Sequence, residues 1–309
     1  MKPATLIRSL LSPCLILAAN SAIFPASAQQ RPVIAQPVGA TAGLTYADIV
    51  DLADAAPMVA IVRIRNIIAL KPDQATGVAP GHKRLFVEAD VTSLIRGEAG
   101  ISPLVTYLYD VRLDARGKIP KLKKAQVILF ARPAARPGEV QLIAPDAQIP
   151  ATPVQIDRVK SVLSALVAPN TPPRILGLGD AFHVAGTIAG EGETQIFLRT
   201  ENGDPVSLSV LRRPGQPPRW AVALGEIVDE AARAPEPGTL LWYRLACSLP
   251  PALPPRAVRT LAVADAEAAR ADYRLVIDAL GPCERTASFT WTHGHRPLSA
   301  RHSSSSPRK

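Results

Sequence analysis

The 309-residue chain is 47% hydrophobic, which supplies enough apolar material for real cores and excludes a disordered protein. Its 31 prolines and 5% aromatic content weigh against long helices and favour short strands with irregular connections. The formal charge of +9 argues against an acidic surface, so an anionic partner fits better than a cationic one.

Residues 1–28 read as a cleavable secretory signal. Lys2 and Arg8 make a positive start, no acidic residue precedes Asp48, an apolar run follows from Leu10 to Ala19, and Ala26-Ser27-Ala28 offers an A-x-A cut before Gln29. The run is shorter than the about 20 residues of a spanning helix. Pro13 ahead of Cys14 is unlike a lipoprotein acceptor site. The expected product, cleaved near Ala28, is periplasmic or secreted, without a transmembrane segment. Losing Lys2 and Arg8 leaves it a charge of about +7. Outside the cytoplasm the expected partner is an acidic envelope protein or an anionic polysaccharide or lipid, and not nucleic acid.

Residues 29–44 are polar and aperiodic and read as a linker. Thr45 with Asp48 three residues on forms a capping box for a short helix that Pro57 ends. Strands follow at Met58–Leu70, Arg84–Ile95, Leu104–Leu113, Ala125–Ala131 and Val140–Ala144, mostly alternating apolar and polar residues. The continuous run AQVILFA is the pattern of a strand buried on both faces. Thr152-Pro153 then opens a helix striped by Ile156, Val159, Val162, Leu163 and Leu166.

Residues 168–179, rich in proline and glycine, mark a second linker. Beyond it, strands are expected at Phe182–Ile188, Gln195–Thr200, Val206–Leu211, Trp220–Leu224 and Leu240–Cys247, with Asn202-Gly203 as a hairpin turn. A helix from about Ala257 to Leu280 ends at Gly281-Pro282. Residues 296–309 read as a disordered basic tail.

The expected fold is therefore mainly β, of the α+β class. Two small β-barrel or sandwich domains, 45–167 and 180–295, are each followed by a helix, and the first is OB-like. The stretch from Ala53 to Gly97, with its long first strand and a second ending in Leu94-Ile95-Arg96-Gly97, resembles the opening of a netrin-like, metalloproteinase-inhibitor-like OB-fold module of exported proteins. The resemblance rests on these 45 residues, about a seventh of the chain, and implies a fold only. The family's inhibitory N-terminal cysteine is absent, so no functional residue carries over. The whole chain looks like an exported bacterial protein.

Cys247 and Cys283 remain after signal cleavage. In an oxidising compartment an even pair reads first as a disulfide, closing a loop of about 37 residues for about 3.5–4 kcal/mol. A catalytic thiol pair is the alternative, although the spacing is nothing like C-x-x-C.

His293-Gly294-His295 places two imidazoles on one face of an extended segment, and His183 or Asp180 could complete a metal site. The other reading is a polar segment with incidental histidines. No G-x-S-x-G elbow supports a hydrolase, and Gly177-Leu178-Gly179-Asp180 lacks the lysine and the helix of a phosphate loop. Nothing in the sequence asks for a cofactor.

The densest charge feature is the stretch holding Arg112, Arg116, Lys118, Lys121, Lys123 and Lys124, opposed only by Asp114. Between two strands it should be an exposed loop, fit for an anionic partner. Alternatively its lysines keep the neighbouring apolar strand from edge pairing. The reading that follows is a non-catalytic binding module of the cell envelope; the alternative is a metal-dependent or hydrolytic enzyme using the three histidines.

Overall fold

The computed structural model describes residues 44–98, 100–225 and 232–286. The signal segment, most of the first linker, His293, His295 and the basic tail lie outside them. The fold is mainly β; the described residues form two antiparallel sheets and four α-helices. No helix among the described residues is long and apolar enough to cross a membrane.

The first sheet begins after helix α1 (Tyr46–Ala55), whose capping box is in place: Asp48 N donates to the Thr45 hydroxyl, and Thr45 N donates to the Asp48 carboxylate. Strands β1 (Met58–Ala69), β2 (His82–Arg96), β3 (Leu104–Arg112), β4 (Gln126–Pro133) and β5 (Val140–Leu142) pair in the order β3-β2-β1-β4-β5. A short β6 (Gln148–Pro150) adds to β4.

β1 pairs with β2 along most of its length and with β4 through Met58–Arg63. Three register shifts against β2 mark bulges, which bend and twist a strand that must serve two neighbours. The path returns on itself at one parallel bridge, Thr106 to Glu139, with Thr106 N donating to Gly138 O at 2.9 Å. Inside lie Val62, Ile64, Leu85, Val87, Val105 and Ile128, all buried. Helix α2 (Pro153–Leu166) closes the unit with Val159 and Val162, its first turn capped by Thr152.

The second sheet is a meander, β7 (Ile175–Ala185), β8 (Gly192–Thr200), β9 (Val206–Arg212) and β10 (Arg219–Ala223), in the order β10-β9-β8-β7. β7 starts inside the stretch read as a linker. Gly177 there adopts φ +148, beside a register shift against β8. Helix α4 (Val263–Leu280) packs on β7 and β8 and ends at Gly281 with φ +70, as its sequence indicates.

Two expectations fail in this half. Leu240–Cys247, expected as a strand, contains helix α3 (Leu240–Ala246), with Cys247 as its C-cap. A short apolar run has no period to separate strand from helix, and here the Thr239 hydroxyl, accepting from Trp242 N, decides for helix. The long helix begins at Val263 and not Ala257, because Pro255–Val258 forms a separate 3-10 turn.

Helix α3 feeds both cores: Leu240 and Tyr243 join the first, Leu245 the second. Polar contacts fix it to α1. The Tyr243 hydroxyl donates to Asp51, and Arg285 Nε donates to the same carboxylate at 2.6 Å. The sulfurs of Cys247 and Cys283 stand 2.07 Å apart, at disulfide distance, so the C-cap of α3 is tied to the segment after α4. That segment lies on α1, where Thr286 Oγ1 donates to Asp48 at 2.8 Å and Thr45 Oγ1 donates to Glu284 O.

Candidate functional site

The outer face of β2 and β3 carries a concavity. Because opposed residues of an antiparallel pair share a face, the register builds a ladder of neighbours: His82 opposite Arg112, Arg84 opposite Asp110, Phe86 opposite Leu108. Across β1 the row continues with Ile68 opposite Phe86. Leu108 and Ile68 are 48% and 50% exposed, so an apolar row crosses three strands at the surface.

β3 is bridged at Thr106 to Glu139, the residue just before β5. Between β3 and β5 lies a groove of about 530 Å³, lined by Phe86 and Leu108 on one side and Val140, Leu142 and Pro145 on the other.

One rung toward the strand tips, Arg84 clamps Asp110 with two bonds of 2.7 Å, and a further bond reaches Thr76 O. The hydrogen bond to Asp110 raises the Arg84 pKa, burial opposes it, and the charge of Asp110 adds to it. Asp110 is buried, so this fork compensates its desolvation. Its N–H donates to Pro145 O at 2.8 Å, tying the β5–β6 turn to β3.

The same turn holds Asp146. Burial raises its pKa most. Its own backbone N–H and His82 pull it down, and Asp110 pushes it up. Oδ1 of Asp146 is buried without a hydrogen-bond partner among the described residues. Tyr109 is pushed up to about 12, by burial first and then by the Asp146 charge. Below, the Tyr107 hydroxyl donates to Gln148 Oε1 at 2.6 Å within the core.

The basic stretch lies next to this rung. Arg112 ends β3, and Arg116, Lys118, Lys121, Lys123 and Lys124 follow in the β3–β4 loop, all six side chains exposed. Asp114 is occupied with shaping the turn, accepting from the N–H groups of Arg116 and Lys118 at 2.8 Å. Among the described residues none of the six cations forms an ion pair. Lys124 N donates to Ile64 O at 2.8 Å, which fastens the loop to β1 with Lys124 at φ 68.

His183 lies in the second sheet, away from these residues in the strand order. Its Nδ1 is 2.8 Å from the Thr194 hydroxyl, which donates to Asp272 Oδ2; Arg212 Nε donates to Oδ1 at 2.5 Å. The one hydroxyl proton goes to the carboxylate, so the threonine accepts from His183 and the imidazole carries its proton on Nδ1. The ring lies over Gly192, where a Cβ would come within 3.0 Å of it.

This chain of bonds links β7, β8, β9 and α4. With threonine in the middle, it is not the order that activates a hydroxyl nucleophile, which needs histidine between hydroxyl and acid. No group of three metal-ligating side chains assembles among the described residues; the expected companions His293 and His295 lie outside them.

Sequence reasoning missed Asp272 and the groove. Asp272 did leave a signal, standing on the buried stripe of α4 between Ala269 and Val276. The groove left none, since it forms between β3 and β5, which only the folded sheet brings side by side.

No family model matches the chain, and no curated protein is significantly similar to it.

Proposed function

We propose that the chain is an exported, non-catalytic binding module of the cell envelope, which takes an anionic partner on the basic loop. One observation carries the reading: the six cations from Arg112 to Lys124 are all exposed, and among the described residues none of them forms an ion pair. Surplus positive charge on an exposed loop favours an anionic ligand.

Two features support the rest. The strand path β1-β2-β3-β5-β4, returning to β1, agrees with an OB-like barrel of the netrin-like kind, and OB folds bind ligands on the face of strands 2 and 3. The cysteine pair at disulfide distance fits an oxidising compartment, hence a periplasmic or secreted location.

The test is retention of the exported chain on an anionic polysaccharide and on acidic-lipid vesicles at two salt concentrations. Retention should fall with salt, and fall at least tenfold for Lys121→Glu/Lys123→Glu/Lys124→Glu. Equal retention of that variant would reject the loop as the binding surface.

A further inference from the structure

Strand alternation fixes which main-chain groups face the groove. At the two ends of β3, Leu113 N donates to Gly81 O and Pro103 O accepts from Val91 N, both at 2.8 Å, so the odd-numbered positions bond to β2. The N–H and C=O groups of Thr106, Leu108 and Asp110 therefore point away from β2, toward β5. Around β5, Glu139 O accepts from Ala134 N and Ile143 N donates to Phe130 O. There too the odd positions face β4, and the main-chain groups of Val140 and Leu142 face β3.

Two parallel edges thus confront each other with one rung unmade. Thr106 N donates to Gly138 O at 2.9 Å. An unbroken parallel ladder would continue with Leu108 N to Val140 O and with Leu142 N to Leu108 O. Neither bond is made among the described residues. The next bond from β3 runs from Asp110 N to Pro145 O at 2.8 Å, and not to the in-register carbonyl of Leu142. The open rung lies in the groove, whose lining takes in residues 106–108 and 140–142 from the two strands.

Charge and hydrogen bonding narrow the occupant. Arg84 and Asp110 close on each other through two bonds of 2.7 Å, and Glu139 is held by Arg136 at 3.0 Å. Asp146, next along the chain from Pro145, is not part of the lining. The groove therefore offers no unpaired charge to an ionic ligand. A pure hydrocarbon would cover the open N–H and C=O groups without bonding them, which is unfavourable.

The geometry points to an extended, uncharged peptide segment as the groove's ligand, one residue of which bonds to the main chain of Leu108 as a neighbouring strand would. Its side chains rest on Phe86 and Leu108. Recognition is by strand addition, with affinity from the main chain and a preference for apolar side chains from the walls. This site is independent of the basic loop, so the two readings fail separately.

The probe is acetyl-Val-Leu-Val-amide, compared with its depsipeptide, in which an ester oxygen replaces the leucine N–H, and with dodecyl maltoside below micelle formation. Amide NMR of the full chain should show saturable shifts at Leu108, Val140 and Leu142, and none in residues 116–124. The depsipeptide should bind about fivefold more weakly, having lost one donor, and the maltoside at least tenfold more weakly.

Leu108→Pro removes an N–H that makes no bond to β2, on an edge strand where proline is tolerated. The variant should keep the β1–β2 amide spectrum and bind the peptide at least tenfold more weakly; where it fails to fold, the ester comparison decides. Equal binding of peptide and depsipeptide, or maltoside binding as tight as the peptide, overturns main-chain recognition. Shifts confined to other surfaces, or no binding at millimolar peptide, overturn the site. None of these outcomes alters the retention of polyanions by the loop.

Discussion

Replacing Asp272 by alanine is expected to be among the most damaging single changes in the second sheet. The carboxylate is fully buried on α4, where it accepts the Thr194 hydroxyl through one oxygen and Arg212 through the other, at 2.5 Å. Each bond involves a charged group and contributes about 1.5–3 kcal/mol. The Arg212 side chain is 35% exposed, so water compensates part of its loss, and its share falls at the low end.

The expected cost of Asp272→Ala is about 3–4 kcal/mol, out of a total that for such proteins is about 5–15 kcal/mol. Asp272→Asn keeps the volume and an acceptor for Thr194 and should cost about 2 kcal/mol. Urea unfolding followed by tryptophan fluorescence measures both. The double variant Asp272→Leu/Arg212→Met should lose less than the sum of its single changes, because it leaves no buried charge without a partner. A loss below about 1 kcal/mol for Asp272→Ala, or strict additivity in the cycle, would refute the assignment of this network as the tie between sheet and helix.

Three further outcomes are expected. Lys124→Gly should stabilise by about 0.5–1 kcal/mol, since a lysine at φ 68 is strained where glycine is not; an unchanged unfolding midpoint would count against strain there. Cys247→Ser/Cys283→Ser should cost about 2–4 kcal/mol and increase amide exchange in α1, because residues 283–286 rest on Asp48 and Asp51; unaltered exchange would show that the segment holds without its tether. Asp146 has a folded pKa raised chiefly by burial, so its contribution to stability is full below the ordinary carboxylate range and is lost as pH rises through the raised value. Asp146→Asn should therefore stabilise at neutral pH and have no effect in acid, and a gain equal at both pH values would contradict the desolvation account.

Much of the first sheet was legible because its signals are local. Thr45 and Asp48 cap α1 through bonds spanning three residues, and the alternation of Leu85, Val87 and Ala89 with Arg84, Phe86 and Glu88 already separates the inner from the outer face of β2. Helix α3 was misread because LLWYRLAC is apolar apart from Arg244, which is itself buried beside Asp54. It is buried between two cores, and only its placement there shows why no polar face is needed. The site was half legible: six cations in thirteen residues announce an exposed loop, but nothing local says that Arg112 finishes the rung beside Arg84 and Asp110.

By itself the sequence determined the mainly β class, the caps of α1 and α2, the exposure of the basic loop and the pairing of the two late cysteines by count. Each depends on residue type and on neighbours a few positions away. The tertiary structure alone decided that β3 is bridged at Thr106 to Glu139, that a groove lies between β3 and β5, and that Asp272 turns inward to Thr194 and Arg212. Those facts depend on register between segments up to 78 residues apart, where burial and the satisfaction of charge act on the whole fold and not on any stretch of it.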